Sequence, residues 1–233
     1  MRPVPKTYLG LRTWKVPLTH DAAFTDTPDG GIHHDLTTLV GSRVYHDLVN
    51  PLGAIGNGLE LLDMTGMAKG PELELIRDAL TDAQARLRFF RFAFGAIDTN
   101  HSISVRDVRG AFEERYQKSR ITPQWNIDDD LPRAQVKLGF LMALCAEAAL
   151  PMGADMRLVL DPKGHLRLEA EASRTNVDVL LWAVLRHGTA SLARGFHPNE
   201  AQFPALYALC DTLGLTLNYV ADENSLTIST DAG

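Results

Sequence analysis

The sequence predicts an α+β chain: an N-terminal antiparallel helical hairpin that pairs with a second copy into a dimeric four-helix bundle, followed by an α/β sandwich domain. Three observations predict it. Two successive stretches repeat apolar residues in steps of three and four, as helices do. Further along, strand-like runs hinged by turn residues alternate with three more helical stretches. The composition, 45% hydrophobic and 22% charged over 233 residues, is that of a globular chain able to form a core.

Residues 1–33 mix Pro, Gly, Thr and Asp without periodicity and end near TDTPDGG, so they read as an N-terminal extension. Residues 34–119 form the helical-hairpin domain. Its first helix, about 35–65, carries the stripe Val44, Leu48, Leu52, Ile55, Leu59 and Leu62. The break TGMAKGPE follows, with Pro71 suited to the first turn of the next helix. Leu73, Ile76, Leu80, Ala83, Leu87, Phe90, Phe94 and Ile97 then continue the same spacing. One hairpin has too little inward apolar surface to stand alone, so pairing with a second copy is the expected way to bury these stripes. Ser104 and Asp107 resemble a capping box for a third helix at about 105–118.

Residues 120–233 form the second domain, beginning where the texture changes after RITPQWN. Its expected helices are about 131–149, 176–187 and 199–213, the last opened by Pro198 and Asn199. Its expected strands are MRLVLD and LRLEAEA, hinged at PKG, then LTLNYV and SLTIST, hinged at DEN. Helices over one face of an antiparallel sheet make the sandwich.

A net charge of −6 argues against a chain-wide role on nucleic acid or an anionic membrane, both of which need clustered Lys and Arg. Cys145 and Cys210 sit in the apolar stretches MALCAEA and YALCDTL, with neither CxxC nor a ligand-spaced His, and read as reduced core thiols. The first residues lack a signal-peptide h-region and no later run is long enough to span a membrane, so a cytoplasmic location is expected. His33 and His34, adjacent on the extension, are a weak metal idea that is set aside.

The chemistry concentrates at His46. With Leu48 at the centre of the buried stripe and about 100° of turn per residue, His46 falls near the opposite, outer side. Arg43, Asn50, Gly53 and Asn57 lie within about 40° of that direction, giving a polar, small-residued ridge on which a partner can approach the imidazole. Asp47 follows directly, and a neighbouring carboxylate can hold an imidazole in one tautomer and accept its proton while the other nitrogen attacks. Asn50 offers an amide to a water or a phosphoryl oxygen. Pro51 removes a backbone donor and crowds the carbonyl of Asp47, so any kink falls on this turn.

The string His46-Asp47-Leu48-Val49-Asn50-Pro51-Leu52 resembles the phospho-acceptor motif of sensor histidine kinases, departing from it at Val49, where a basic residue is usual. SRVYHDLVNPLGAIGNGLELL, QWNIDDDLPRAQVKLGF and AEAALPMGA resemble the ChpT family of alphaproteobacterial histidine phosphotransferases over about residues 35–230. The resemblance implies a dimeric hairpin bundle phosphorylated on His46 and followed by a degenerate kinase-like ATPase domain. It implies receiver domains as partners: one on a hybrid histidine kinase upstream, and response-regulator receivers of the CtrA type downstream.

A kinase of that kind needs an Asn-bearing helix for Mg²⁺, an Asp-x-Gly-x-Gly turn for adenine and a Gly-rich lid. The candidate helix reads KLGFLMALCAEAA, and no Asp-x-Gly-x-Gly or Gly-rich loop follows residue 120. The expectation is therefore a phosphocarrier that binds no ATP or other cofactor, takes its phosphoryl group from a receiver phospho-aspartate, and relies on Mg²⁺ held by the receiver. A hairpin turning near residue 68 brings Arg86, Arg88 and Arg91 level with His46. Arg43, Gly53, Asn57, Arg86 and Arg88 are the expected partner-binding residues; His46, Asp47 and Asn50 are the expected catalytic ones. The competing expectations are an atypical histidine kinase and a non-enzymatic dimeric scaffold.

Overall fold

The computed structural model describes residues 71–95 and 102–232, together with Asp47, Leu48, Pro51, Ala54, Ile55 and Gly58. Those six positions are helical, with Pro51 and Gly58 buried. The remainder of the first expected helix lies outside the described residues. Helix α1 spans Pro71–Phe94, and Pro71 occupies its first position, where a missing N–H leaves no intrahelical bond unmade.

The residues α1 buries differ from the spaced stripe. Ala83 and Phe90 are buried, but Leu80 and Leu87 are 46% and 49% exposed. Phe89, Phe92 and Ala93, off the stripe, turn inward instead, because α1 packs along α2 (Val105–Tyr116) and α3 (Arg133–Ala148). The Phe89 ring centroid lies 4.5 Å from that of Phe140 and 6.2 Å from that of Phe112. Trp125 completes the cluster, 5.5 Å from Phe112 and 5.8 Å from Phe140. The C-terminal half of α1 thereby joins the same continuous core as the sheet. Truncating any of these rings to Ala costs about 3–5 kcal/mol. At the end of α1, Lys137 Nζ donates to the Gly95 carbonyl at 2.9 Å and the Arg133 guanidinium to the Arg91 carbonyl at 3.3 Å. Two cations of α3 thus cap the end of the helix, the Arg91 carbonyl also accepting the Gly95 amide at 3.2 Å.

The capping box expected at Ser104 is not formed. Ser104 makes no side-chain cap bond, and the Val105 amide donates to Asp130 Oδ1 at 2.8 Å. The cause is a short ribbon: β1 (Ser102–Ile103) pairs antiparallel with β3 (Leu131–Pro132), which carries Asp130 to the start of α2.

The main sheet has the order β2-β4-β5-β7-β6, formed by Ile121–Trp125, Ala154–Leu160, Leu166–Ala172, Ser225–Ala232 and Leu215–Ala221 respectively. Both expected hairpins are present, in the registers Leu160↔Leu166 and Ala221↔Leu226. The segment ITPQW also forms a strand, β2, parallel to β4, so the sheet is mixed and not purely antiparallel. Pro123 obscures that strand in the sequence; as an edge strand, β2 tolerates it. Alternate residues of β4, β5 and β7 are buried, as expected for a sheet covered on one face.

Helix α3 packs on β5 and β7, α2 on β2, and α4 (Val179–His187) and α5 (Gln202–Leu213) on β6. The outcome is a two-layer α+β sandwich. Helix α4 starts three residues later than expected because Asp178 caps it, accepting from the Leu180 and Leu181 amides at 3.0 and 3.1 Å. Before α5, Pro198–Glu200 forms a single 3₁₀ turn. Arg194 holds that turn through paired bonds to Glu200, both 2.8 Å.

Candidate functional site

Of the expected site residues, the structure describes Asp47, Arg86 and Arg88; His46, Asn50, Arg43, Gly53 and Asn57 lie outside the described residues. Asp47 is helical and half-buried. Its charge is felt by Arg115, which lies at the end of α2 and is only 6% exposed.

Arg115 is the most deeply embedded charge of this region. Its guanidinium donates to both oxygens of Glu147, at 3.2 and 3.3 Å. The Tyr116 hydroxyl donates to the same carboxylate at 3.3 Å. The guanidinium also lies over the rings of Tyr116 and Phe89, 5.1 and 5.9 Å from their centroids, the favourable placement for a cation on an aromatic face. Burial by itself disfavours the charged guanidinium. The nearby Glu147 carboxylate, the Tyr116 hydroxyl, the Asp47 carboxylate and the bond to Glu147 outweigh it and hold the Arg115 pKa above its ordinary value. Asp47, on the turn expected to carry chemistry, thus shares an electrostatic environment with the buried ion pair that joins α2 to α3. This network was not expected from the sequence. Its signal was Glu147, a lone charge in the apolar run LMALCAEAAL, since a charge on a core-facing helix requires a partner.

Of the three arginines expected to meet a partner, the two among the described residues, Arg86 and Arg88, are engaged within the chain. Arg86 Nε donates to Asp82 Oδ2 at 2.9 Å, one turn earlier on α1. Arg88 Nη1 donates to Glu114 Oε2 of α2 at 2.6 Å. The Arg88–Glu114 pair is exposed and the Arg86–Asp82 pair half-buried; surface pairs of this kind contribute only about 0.2–1 kcal/mol each, so a partner can displace them at small cost. Arg91 and Arg106 are exposed and form no ion pair with a described residue.

Helix α3 is the segment in which a nucleotide-binding helix would carry its Asn. Leu138 to Ala146 are all buried, and Gly139 lets α3 approach the Trp125 ring so closely that a Cβ there would stand 3.2 Å from it. Its apolar side chains are committed to the core.

Among the described residues, one mixed group has metal-ligand chemistry: Asp161, His165 and Asp231, whose donor atoms lie within 4.8 Å of one another. Asp161 is already used by its turn, accepting the Lys163 and His165 amides on Oδ1, both at 2.8 Å. These bonds hold its carboxyl below the ordinary range. Cys145 and Cys210 are free and buried. Burial pushes the Cys145 thiol well up and the Cys210 thiol to about 12, which makes both inert as nucleophiles. No described helix is long and apolar enough to cross a membrane.

Three likenesses to known proteins bear on this arrangement. The family model described as the histidine phosphotransferase C-terminal domain matches residues 105–225, from the start of α2 into β7. The protein phosphotransferase ChpT of Brucella abortus (strain 2308) is 36% identical over 129 residues, covering 54% of this chain and 61% of that protein. The matched region thus spans about three fifths of that curated relative's length. A solved bacterial phosphotransferase superposes with a TM-score of 0.73 at 26% identity, over 89% of this chain and 98% of that one.

Proposed function

This chain belongs to the histidine phosphotransferase family, and from that premise we propose that it is a phosphocarrier of a two-component relay that uses His46. One nitrogen of the His46 imidazole attacks the phosphorus of a receiver phospho-aspartate. An N–P bond forms, the acyl P–O bond breaks, and the aspartate leaves as a carboxylate. A second receiver's aspartate reverses this chemistry and takes the phosphoryl group. Carrying the group covalently splits one transfer between two carboxylates into two steps.

The observation that carries this proposal is the His-Asp-x-x-Asn-Pro string at His46–Pro51, lying upstream of a region that belongs to this family. Transfer through a loose transition state asks chiefly for positioning and charge stabilisation. Asp47 fixes the imidazole tautomer and accepts its proton, and Asn50 orients a phosphoryl oxygen. Mg²⁺ belongs to the receiver in this scheme and no nucleotide is bound, in keeping with the missing adenine and lid motifs. The upstream receiver is that of a hybrid histidine kinase, and the downstream one belongs to a response regulator, of the CtrA type by resemblance.

The proposed working form is a homodimer with a four-helix bundle. The exposure of Leu80 and Leu87 on α1 supports it, since they stand seven residues apart, the repeat expected of a helix–helix seam. Mixing the protein with a phosphorylated receiver and Mg²⁺, then seeking acid-labile phosphate that disappears in His46→Gln, tests the function.

A further inference from the structure

We propose that the groove between α1 and α2 is an electrostatic dock for the acidic surface of the partner receiver domain, with Arg91 and Arg106 as the residues that engage it. This rests on the phosphocarrier reading and names the surface through which its partner is held.

The groove encloses about 570 Å³ and is lined by Arg88 and Arg91 of α1, Arg106 of α2 and Arg133 of α3, with Asp107 and Glu114 as its acidic members. Four guanidinium groups against two carboxylates leave a local charge of +2 on a chain whose net charge is −6. The excess is concentrated. Arg88 is held by Glu114 at 2.6 Å, and Arg133 is spanned to the Arg91 carbonyl. Arg91 and Arg106 are exposed and have no intrachain carboxylate partner among the described residues. Their planar, multi-donor heads suit bidentate pairing with carboxylates. The floor adds shape: a Cβ placed at Gly110 would just touch Glu114 Oε1, at 4.0 Å, and Phe92 and Ile103 give apolar walls.

Charge complementarity selects the occupant. A receiver must gather several carboxylates to bind Mg²⁺ and present its aspartate, so its phosphorylation face is rimmed with negative charge. Opposite patches of this kind chiefly raise the association rate and weaken with salt.

The test is transfer from a phosphorylated receiver to the full-length protein, with initial rates measured across ionic strength. The charge reversal Arg91→Glu/Arg106→Glu is expected to lower the second-order transfer rate at low salt by about tenfold or more and to flatten its salt dependence, without moving the thermal midpoint. The control Lys163→Glu, on the β4–β5 turn, is expected to leave rate and salt dependence as in the parent. An unchanged rate in the double charge reversal would overturn the dock. A separate arm treats the parent with phosphoramidate and no receiver. Labelling of His46 supports the phosphocarrier reading by itself, and its absence would sink that reading together with the dock.

Discussion

Replacing Glu147 with Leu removes the carboxylate that compensates a buried cation. The Arg115 side chain is 5% exposed and that of Glu147 30%, so the change strands a guanidinium that the fold has already withdrawn from water. Breaking a buried pair from one side costs about 3–5 kcal/mol. Because Glu147 itself is partly solvated and the Asp47 charge also stabilises the cation, the expected loss is nearer about 2–3 kcal/mol. In a chain of this length each kcal/mol moves the melting midpoint by about 2–4 °C, so the midpoint should fall by roughly 4–12 °C. Urea titration followed by circular dichroism gives the free energy directly. The double replacement Arg115→Met/Glu147→Leu, which removes both charges, should recover most of the loss. A single variant within about 0.5 kcal/mol of the parent, or a double variant no better than the single, would refute the account of this pair.

Gly153 has φ of +92°, and a Cβ there would lie 2.1 Å from the Arg120 carbonyl oxygen; Gly153→Ala should therefore destabilise by at least about 2 kcal/mol in urea titration. Asp161 and Asp222 are held below the ordinary carboxylate range by the turn amides of His165 and Asn224 respectively. Near pH 4 the folded chain consequently binds fewer protons than the unfolded one. Their stabilisation is present above the unfolded pKa of about 3.9 and is lost as pH falls through the folded value. The urea midpoint should drop below about pH 4, and less steeply in Asp161→Asn/Asp222→Asn; identical slopes would count against these turns. Leu80→Lys/Leu87→Lys should convert a dimer to a monomer by light scattering, and a parent that is already monomeric would remove the bundle from the account.

The parts of the fold legible in the sequence are those where period and turn chemistry agree. PKG and DEN marked both hairpins because their flanks alternate, and Asp161 and Asp222 accept amides of the turns they open. Strand β2 was illegible because Pro123 breaks its five-residue run, and nothing local announces a parallel partner 33 residues away in register. Helix α1 was legible as a helix but not in its inward face. Spacing cannot tell which of two apolar sides meets a neighbour, and Phe89 and Phe92 meet α2 and α3. The Ser104 cap failed for a similar reason: the start of α2 is met by Asp130, which takes the Val105 amide from 25 residues on in sequence and lies adjacent through the β1–β3 ribbon. At the site, His46 and Asp47 stood out because a motif is contiguous. Arg115 and Glu147, 32 residues apart, and the pairing of Arg88 with Glu114 are products of tertiary packing that no local pattern encodes.

If His46 carries a phosphoryl group received from another protein's aspartate, the transfer can be followed directly. A receiver phosphorylated with labelled phosphate, freed of nucleotide and mixed with this chain and Mg²⁺, should pass label to it as an acid-labile, base-stable adduct on His46, with none in His46→Gln. Label that persists in His46→Gln, or that reaches the parent from ATP without any second protein, would contradict it.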